Sequence, residues 1–275
     1  MRSIEDFVRI LELKRYSRNT INSYQSHLRL AHGYFNHRDF KQIKDKELFA
    51  FIYHMVSIKK ISSSYQRQIV GAFKLFYKEM YARSIPFEYL KIQRHEQKLP
   101  VVIGKDEVLR IINVLDNLKH KALIALLYGS GLRIGELLEL KKSDIDSDRM
   151  AVHVKAGKGK KDRYTILSNA ALEILREYYL KFRPKEFLFE GHKGGKYSSA
   201  SAAQLFKRSL AKAKIGKHAT LHTLRHSFAT HLLEDGVGVG HIQKLLGHSN
   251  IKTTLIYTQI AQDSLLRIKS PLDVI

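Results

Sequence analysis

The 275-residue chain has no cysteine and no long apolar run. The absence of cysteine excludes a disulfide framework, a thiolate nucleophile and a zinc site with cysteine ligands, and it suits a reducing cytoplasm. No apolar segment approaches the ~20 residues that a membrane-spanning helix needs. The first ten residues include two acids where a signal peptide would be basic and then apolar. We therefore expect a cytoplasmic protein without a membrane segment.

Acidic residues are few relative to basic ones. There are 26 Asp and Glu against 48 Lys and Arg, which gives a formal net charge of +22. Residues 1–100 hold 19 basic and 9 acidic side chains and the remainder holds 29 and 17, so the excess is not confined to a tail. A hydrophobic fraction of 44% favours a folded chain. A folded chain that is basic throughout is expected to bind a polyanion, with nucleic acid as the leading candidate and a merely soluble basic protein as the alternative.

A polar stretch without helical periodicity, residues 92–101, separates two parts of the chain. It contains Pro100, and proline disfavours helix in the residue before it. We predict a first domain over residues 1–92, a linker over 93–100 and a second domain over 101–275.

Hydrophobic periodicity predicts the elements on each side of this linker. The first part has four segments with apolar residues at helical spacing, and Ser17 or Asn19 would cap the second of them. It is expected to form a small domain of four or five helices. The second part is expected to hold both helices and strands, so the fold class is mainly α with a small β-sheet in the second domain. Its predicted helices cover residues 105–118, 119–128, 132–140, 170–182, 199–213, 223–233, 239–246 and 253–260, and its predicted strands cover residues 150–155 and 163–167.

Two glycine-containing segments place basic residues where they could meet an anion. Arg133 follows the turn at Gly131, at a helix start where N–H groups and a guanidinium can converge on an anion; a solvated surface arginine is the common alternative. The glycines of the predicted hairpin tip, residues 158–163, would let it approach a ligand closely, although a solvated charged turn is again the alternative. This tip is not a Walker loop, because no Gly-Lys-Ser/Thr opens a helix here.

A histidine and an arginine follow at helical spacing. His222 and Arg225 are three residues apart and share one helix face. A proton-transfer group beside a guanidinium suits a site that handles phosphate. His222 and His226 also have the spacing of a metal pair. No Glu lies between them as a zincin requires, and there is no clear third ligand, so a metal site is the weaker interpretation.

The last segment centres on His248 and Tyr257. Gly247 is typical of a helix C-cap and Ser249 of the next N-cap, so the two would fix the direction of His248. Tyr257 is one of 14 tyrosines, and by position alone it indicates core packing.

Taken together, these features resemble the tyrosine recombinase (integrase) family. The similar segments are GLRIGELLEL, AGKGKKDRYTIL, LHTLRHSFATHLLEDG and HIQKLLGHSNIKTTLIYT, and the resemblance spans about residues 101–270. Further upstream, YSRNTINSYQSHL and SSSYQRQIVGAFKLFY are similar to the helical SAM-like core-binding domain of Xer-type and integron-type members. The matching positions, in order, are Arg133, Lys158, His222, Arg225, His248 and Tyr257.

The resemblance implies that a tyrosine hydroxyl attacks a DNA phosphodiester, forming a 3′-phosphotyrosyl link and freeing a 5′-hydroxyl. Tyr257 matches the nucleophile. An ordinary tyrosine pKa of about 10 makes the hydroxyl a poor nucleophile unless cations and a base assist it. Arg133 and Arg225 match the pair that binds the non-bridging oxygens of the phosphate.

The resemblance also implies a proton donor from the hairpin. Lys158 matches the lysine that protonates the leaving 5′-oxygen, with Lys160 and Lys161 close enough to compete for this role. The phosphotyrosyl bond conserves the energy of the broken diester. Such a reaction needs neither a metal nor a nucleotide cofactor.

Three further positions complete the implied site. His222 matches a general acid or base, and His248 matches a residue that hydrogen-bonds the scissile phosphate. Glu136, one helical turn after Arg133, would hold the catalytic residues in position without contacting the DNA. The alternative is a plain surface acid.

The family resemblance implies a two-domain clamp on double-stranded DNA, with a helical core-binding domain and an α+β catalytic domain. Recombination proceeds through a Holliday junction, so four protomers would assemble on two core sites. An apolar set in the C-terminal segment, Ile260, Leu265, Leu266 and Ile268, would dock on a neighbouring protomer or pack on its own domain. An accessory activator protein is a possible further partner. The candidate DNA contacts are Arg18, Asn19, Ser62, Ser63, Ser64, Gln66, Arg67, Lys74, Lys160 and Lys161; most such residues hold phosphates rather than read bases.

Three other functions compete with this interpretation. A type IB topoisomerase would share the catalytic set, but the Xer-like first domain and the apolar tail argue against it. A DNA-binding protein derived from a decayed recombinase would be expected to have lost catalytic positions, and all are filled. A metal-dependent nuclease would need a carboxylate cluster with convincing spacing. The core-binding segments begin almost at Met1, so we expect no arm-binding domain of the lambda type, and no integron-type insert is evident in the second domain.

Overall fold

The chain folds into two compact units, Met1–Gln97 and Lys98–Ile275. The structure is a computed structural model that describes residues 4–87, 90, 100–155, 162–192 and 194–258. The hairpin tip with Lys158, Lys160 and Lys161, most of the predicted linker, and the C-terminal apolar set from Ile260 onward lie outside the described residues.

Within residues 4–87, the first unit contains four α-helices and a short 3-10 turn. Their bounds are α1 Ile4–Leu13, α2 Arg18–Tyr34, α3 Asp45–Ser57 and α4 Ser63–Tyr81, with the turn at Phe40–Gln42. The cap of α2 is Ser17, whose hydroxyl accepts from the Thr20 N–H at 3.1 Å; Asn19 lies inside the helix. Ser62 caps α4 in the same way, through the Tyr65 N–H at 3.2 Å.

Aromatic side chains fill the core of the first unit. Phe76 packs edge-on against Phe7 and Phe40, with ring centroids 5.2 and 4.9 Å apart. The buried Tyr77 donates its hydroxyl to the Phe40 carbonyl at 2.9 Å, which satisfies the polar end of a buried ring. These contacts tie α4 to α1 and to the turn after α2.

The second unit is built around α6 (Leu118–Gly129), which is buried on nearly every side. A helix that is apolar all round belongs in the middle of a core, and α6 packs against α8 and α10. The other helices are α5 Lys105–Asn113, α7 Ile134–Glu139, α8 Asn169–Phe182, α9 Ser199–Lys212, α10 Leu221–Glu234, α11 Val239–Leu246 and α12 Lys252–Leu255.

A small antiparallel sheet completes the second unit. Its strands are β1 Ile145–Asp146, β2 Ala151–Val154 and β3 Arg163–Ile166, in the order β1-β2-β3. The β2–β3 register pairs Val154 with Arg163, so Arg163 is the first residue of β3 and not part of the hairpin tip in which it was predicted. The predicted fold class, mainly α with a small sheet in the second domain, is confirmed.

Several predicted boundaries are wrong for identifiable reasons. The helix predicted to reach residue 118 ends at Asn113, because Asn117 caps α6 by accepting from the Lys119 N–H at 3.0 Å. The strand β1 was not predicted, since two residues are too few for an alternating pattern. Ser249 does not cap α12; the Asn250 side chain accepts from the Lys252 N–H at 2.9 Å instead. Helix α12 ends at Leu255 and a turn follows, where a helix to residue 260 was predicted.

The turn between α6 and α7 depends on Gly131. Its φ is +60°, a backbone conformation that L residues adopt only with strain. A Cβ at this position would lie 2.3 Å from Cδ1 of Phe228 on α10. The turn therefore brings the start of α7, where Arg133 is the N-cap, against α10.

This geometry predicts opposite effects for two neighbouring glycines. Gly131→Ala should lower the free energy of unfolding by at least about 2 kcal/mol, through strain and overpacking. Gly135→Ala, in α7 with nothing within 4 Å of the added Cβ, should raise it by about 0.5–1 kcal/mol. Urea unfolding of the full chain measures both changes in free energy. The dependence of that free energy on urea concentration should stay the same in the two variants. Equal midpoints for the two variants would contradict the prediction.

Candidate active site

A fully buried arginine lies at the centre of the second unit. Arg225, on α10, has 0% relative exposure. Its Nη1 donates to the Gly131 carbonyl at 2.7 Å and its Nη2 to the Leu246 carbonyl at 2.6 Å. Burial, and then the charge of Arg133, lower the pKa of Arg225 to about 10, so it is still charged at neutral pH. Its Nε is buried without a hydrogen-bond partner among the described residues.

The Glu136 carboxylate joins three guanidiniums. Arg133 donates both its backbone N–H and its Nη1 to Glu136, each at 2.8 Å. Arg163 donates Nη1 and Nη2 to the two carboxylate oxygens at 2.9 and 2.8 Å, and Arg225 Nη1 lies 3.7 Å from Oε2. Burial favours the neutral acid, but the hydrogen bonds and charges of Arg163 and Arg133 outweigh it and lower the pKa of Glu136 to about 2. Glu136 is therefore a structural member of the site rather than a plain surface acid, and the four groups keep a net charge of +2.

Arg163 is a residue of this cluster that the sequence analysis did not single out. Besides its two bonds to Glu136, it donates Nε to the Leu245 carbonyl at 2.9 Å. A Cβ on Gly247 would lie 2.7 Å from Arg163 Cδ, so the glycine leaves room for the arginine. Arg163 thus connects β3, α7 and the end of α11. Strand alternation could have indicated it, because Arg163 and the buried Thr165 face the same side of β3, and an inward arginine needs an acid.

His248 follows directly after α11. Gly247 is the C-cap of α11, with φ +63°, as predicted. The Nδ1 atom of His248 is 2.9 Å from the Thr254 hydroxyl, and its ring is stacked on that of Tyr257 at 6.5 Å. Burial, followed by the charges of Arg225 and the other arginines, lowers the pKa of His248 to about 4, so the imidazole is neutral at neutral pH.

Tyr257 is buried beside these groups, with 1% relative exposure. It packs with Phe228, Ile242 and Leu246, and its hydroxyl lies 3.0 Å from Nδ1 of His226. Burial raises the pKa of Tyr257, and the nearby arginine charges oppose this. The tyrosine is thus core-packed through its ring while its hydroxyl is held by a histidine.

His222 stands on the outer side of His226. The two rings meet edge-on with centroids 4.3 Å apart, and His222 is exposed to solvent. Partial burial, and then the charges of Arg225 and Arg133, lower the pKa of His222. Among the described residues, the histidine at hydrogen-bond distance from the Tyr257 hydroxyl is His226 and not His222.

The structure brings most of the predicted site residues into one cluster: Arg133, Glu136, His222, Arg225, His248 and Tyr257. The described residues contain no group of three or more His, Asp or Glu side chains that could hold a metal ion. In the same part of the chain, none of the helices combines the length and hydropathy that a membrane span requires.

The candidate DNA contacts of the first unit fall into separate groups. Arg67 and Lys74 are seven residues apart on α4, so they share one exposed face about 10 Å apart. Ser62, Ser63, Ser64 and Gln66 surround the start of α4. Arg18 and Asn19 begin α2, which runs antiparallel to α4, since His27 contacts Tyr65 while Lys14 pairs with Glu79. Arg18 and Asn19 therefore lie away from the start of α4.

The cluster has the chemistry of phosphoryl transfer. Two guanidiniums and neutral imidazoles can bind a phosphodiester and stabilise charge that develops on its oxygens. A tyrosine hydroxyl that is hydrogen-bonded to a histidine can serve as nucleophile.

Comparison with known proteins gives the family. Residues 102–263 match the phage integrase family, and residues 4–86 match the N-terminal SAM-like domain of phage integrases. The integrase/recombinase y4qK of Sinorhizobium fredii is 35% identical over 267 residues, covering 96% of this chain and 86% of that protein. The tyrosine recombinase XerD of Staphylococcus aureus is 32% identical over 284 residues, covering 96% of both chains.

A solved structure shares the fold. The XerH site-specific recombinase, bound to its palindromic difH substrate, superposes with a TM-score of 0.75 at 22% identity, over 95% of this chain and 82% of that one. With both domains matched and relatives above 30% identity across nearly the whole chain, the protein belongs to the phage integrase family and is a site-specific DNA recombinase of the tyrosine type, similar to the Xer recombinases.

Proposed function

We propose that Tyr257 is the nucleophile of this recombinase and that the surrounding cluster activates one DNA phosphodiester. The observation that carries the proposal is the position of the tyrosine: its hydroxyl is held by His226, and the charges of Arg225 and Arg133 act on it. Arg133 and Arg225 bind the non-bridging oxygens, and His248 donates a hydrogen bond to the same phosphate. His222 takes part in the proton transfers from the exposed side of the cluster.

The reaction exchanges one ester for another. The Tyr257 oxygen bonds to phosphorus, the bond from phosphorus to the 5′-oxygen breaks, and the Lys158 ammonium gives that oxygen a proton. Lys160 and Lys161 bind neighbouring phosphates. Because the guanidiniums supply the positive charge that the transition state needs, the cleavage requires no metal ion or nucleotide. A 5′-hydroxyl attacking the phosphotyrosine reverses the step and joins the strands.

We assign residues 1–92 to core-site binding, residues 93–100 to a linker and residues 101–275 to catalysis. Both units are basic, and both contact double-stranded DNA. Two sites must be cut and rejoined, so four protomers assemble through a Holliday junction, with the C-terminal segment making contacts between protomers. An accessory protein can activate the assembly, and the DNA-bound protein belongs to the nucleoid.

A covalent adduct tests the nucleophile directly. Wild-type protein and Tyr257→Phe are incubated in EDTA with a nicked suicide duplex that carries the binding site. The wild type should give a DNA–protein adduct on a denaturing gel and the variant none, because the phenylalanine has no hydroxyl to attack. An adduct that persists in Tyr257→Phe would identify a different nucleophile. No wild-type adduct on DNA that the protein binds would instead favour a decayed recombinase or a required partner.

Arg163 gives a second test, because it orders the site without a proposed contact to DNA. Arg163→Gln removes the bidentate partner of Glu136 and the bond to the Leu245 carbonyl. Small misplacements of catalytic groups cost about 100-fold in rate, so we expect a loss of that size in single-turnover cleavage, with nearly unchanged DNA affinity. The matched control is Arg149→Gln, whose side chain is 80% exposed. If Arg163→Gln cleaves as fast as this control, the ordering role is wrong.

Salt dependence tests the contacts of the first unit. Each phosphate contact contributes about 0.9 to the slope of log affinity against log salt. Arg67→Gln should therefore reduce the slope by about 0.9, and Lys74→Gln should do the same. Lys46→Gln, an exposed lysine on α3 outside the candidate set, should leave the slope unchanged. An equal fall in slope for Lys46→Gln would contradict the assignment of Arg67 and Lys74 as specific phosphate contacts.

A further inference from the structure

His226 makes the direct contact to the nucleophile. Its Nδ1 lies 3.0 Å from the Tyr257 oxygen, and its ring stands between Tyr257, with centroids 5.6 Å apart, and His222, at 4.3 Å. The distance is within the range that proton transfer between heavy atoms requires. Tyr257 is buried and His226 is half-buried, so the contact between them lies largely away from bulk water.

We propose that His226 is the general base that removes the proton from Tyr257. The proposal rests on the proposed function, since it presupposes that Tyr257 is the nucleophile. It assigns a catalytic role to a residue outside the set Arg133, Lys158, His222, Arg225, His248 and Tyr257.

The electrostatic surroundings keep His226 neutral, with its ring unprotonated at one nitrogen, until the substrate arrives. Burial, and then His222 and Arg225, lower the pKa of His226 to about 4, so the imidazole is neutral before DNA binds. When a phosphodiester occupies the arginines, its negative charge offsets that of Arg225. The imidazolium form of His226 is then less disfavoured, so the histidine gains basicity as the substrate arrives.

The proton balance is complete with residues of this chain. The Tyr257 O–H bond breaks and its proton moves to Nδ1 of His226, which already carries a proton on Nε2. The tyrosine oxygen bonds to phosphorus, the bond to the 5′-oxygen breaks, and Lys158 protonates that oxygen. On ligation the steps reverse, and His226 returns its proton to the tyrosine. His222, exposed and in edge-on contact with His226, takes part in the proton transfers on the solvent side of this pair.

The chain contains a matched control on the same helix. His231, also on α10, places its Nδ1 2.9 Å from the hydroxyl of Tyr128, and both side chains are largely shielded from solvent. The two histidine–tyrosine pairs have nearly the same bond and similar burial. Only the pair that contains Tyr257 would take part in the chemistry.

The first experiment compares single-turnover cleavage rates of a nicked suicide duplex at saturating protein. His226→Asn keeps an oxygen that can accept the hydroxyl hydrogen bond but has no basicity, and His226→Ala removes both. Each should slow cleavage by about 10²–10⁴-fold, the usual contribution of a general base. His231→Asn should stay within about threefold of the wild type. A His226→Asn rate within that same range would overturn the proposal.

Rescue experiments separate a base from a structural residue. Added imidazole should speed cleavage by His226→Ala. Replacing Tyr257 with 3,5-difluorotyrosine, which ionises more readily, should restore much of the rate of His226→Asn. A 5′-bridging phosphorothiolate, whose leaving group needs no proton, should not restore it. Failure of the fluorotyrosine rescue, or rescue by the phosphorothiolate, would overturn the proposal. Absence of an adduct with the wild-type protein would instead contradict the proposed function itself.

Discussion

Three guanidiniums of like charge meet in the second unit, and the Glu136 carboxylate is what permits them to do so. Arg133, Arg163 and Arg225 would repel one another in a partly buried site without a counter-charge. Glu136 bonds to two of them and lies near the third. A single carboxylate does not neutralise the three guanidiniums, so the cluster keeps a net positive charge. A buried ion pair of this kind is costly to break, because loss of one partner leaves an uncompensated charge.

Backbone geometry supplies the second constraint. Arg225 is anchored by two carbonyls, one in the turn after α6 and one at the end of α11. Each of these segments contains a glycine with positive φ, Gly131 or Gly247, that lets a side chain pass close to the chain. The same segments carry Arg133 and His248. The turns therefore fix the position of the buried arginine and of its neighbours at once.

The sequence predicted the fold class and most of the helices, because their apolar periodicity is strong and their caps are conventional. Motif order also indicated candidate catalytic residues, and five of them, Arg133, His222, Arg225, His248 and Tyr257, lie in one cluster with Glu136. Arg163 and His226 were missed as members of the site for different reasons. Arg163 was interpreted as part of a charged hairpin tip, and its alternation with the buried Thr165 along β3 was overlooked. His226 was weighed only as a metal ligand, since its contact with Tyr257 spans 31 residues and no local pattern encodes it.

The carbonyls that hold Arg225 belong to the main chain, and this bears on how such a protein can change over time. Substitutions at Leu246 alter a side chain but not the oxygen that accepts from the guanidinium. Substitutions of nearby side chains therefore leave the hydrogen bonds to Arg225 in place, provided that the two turns keep their backbone conformation. The sequence around this site can therefore change while the position of the buried guanidinium stays the same.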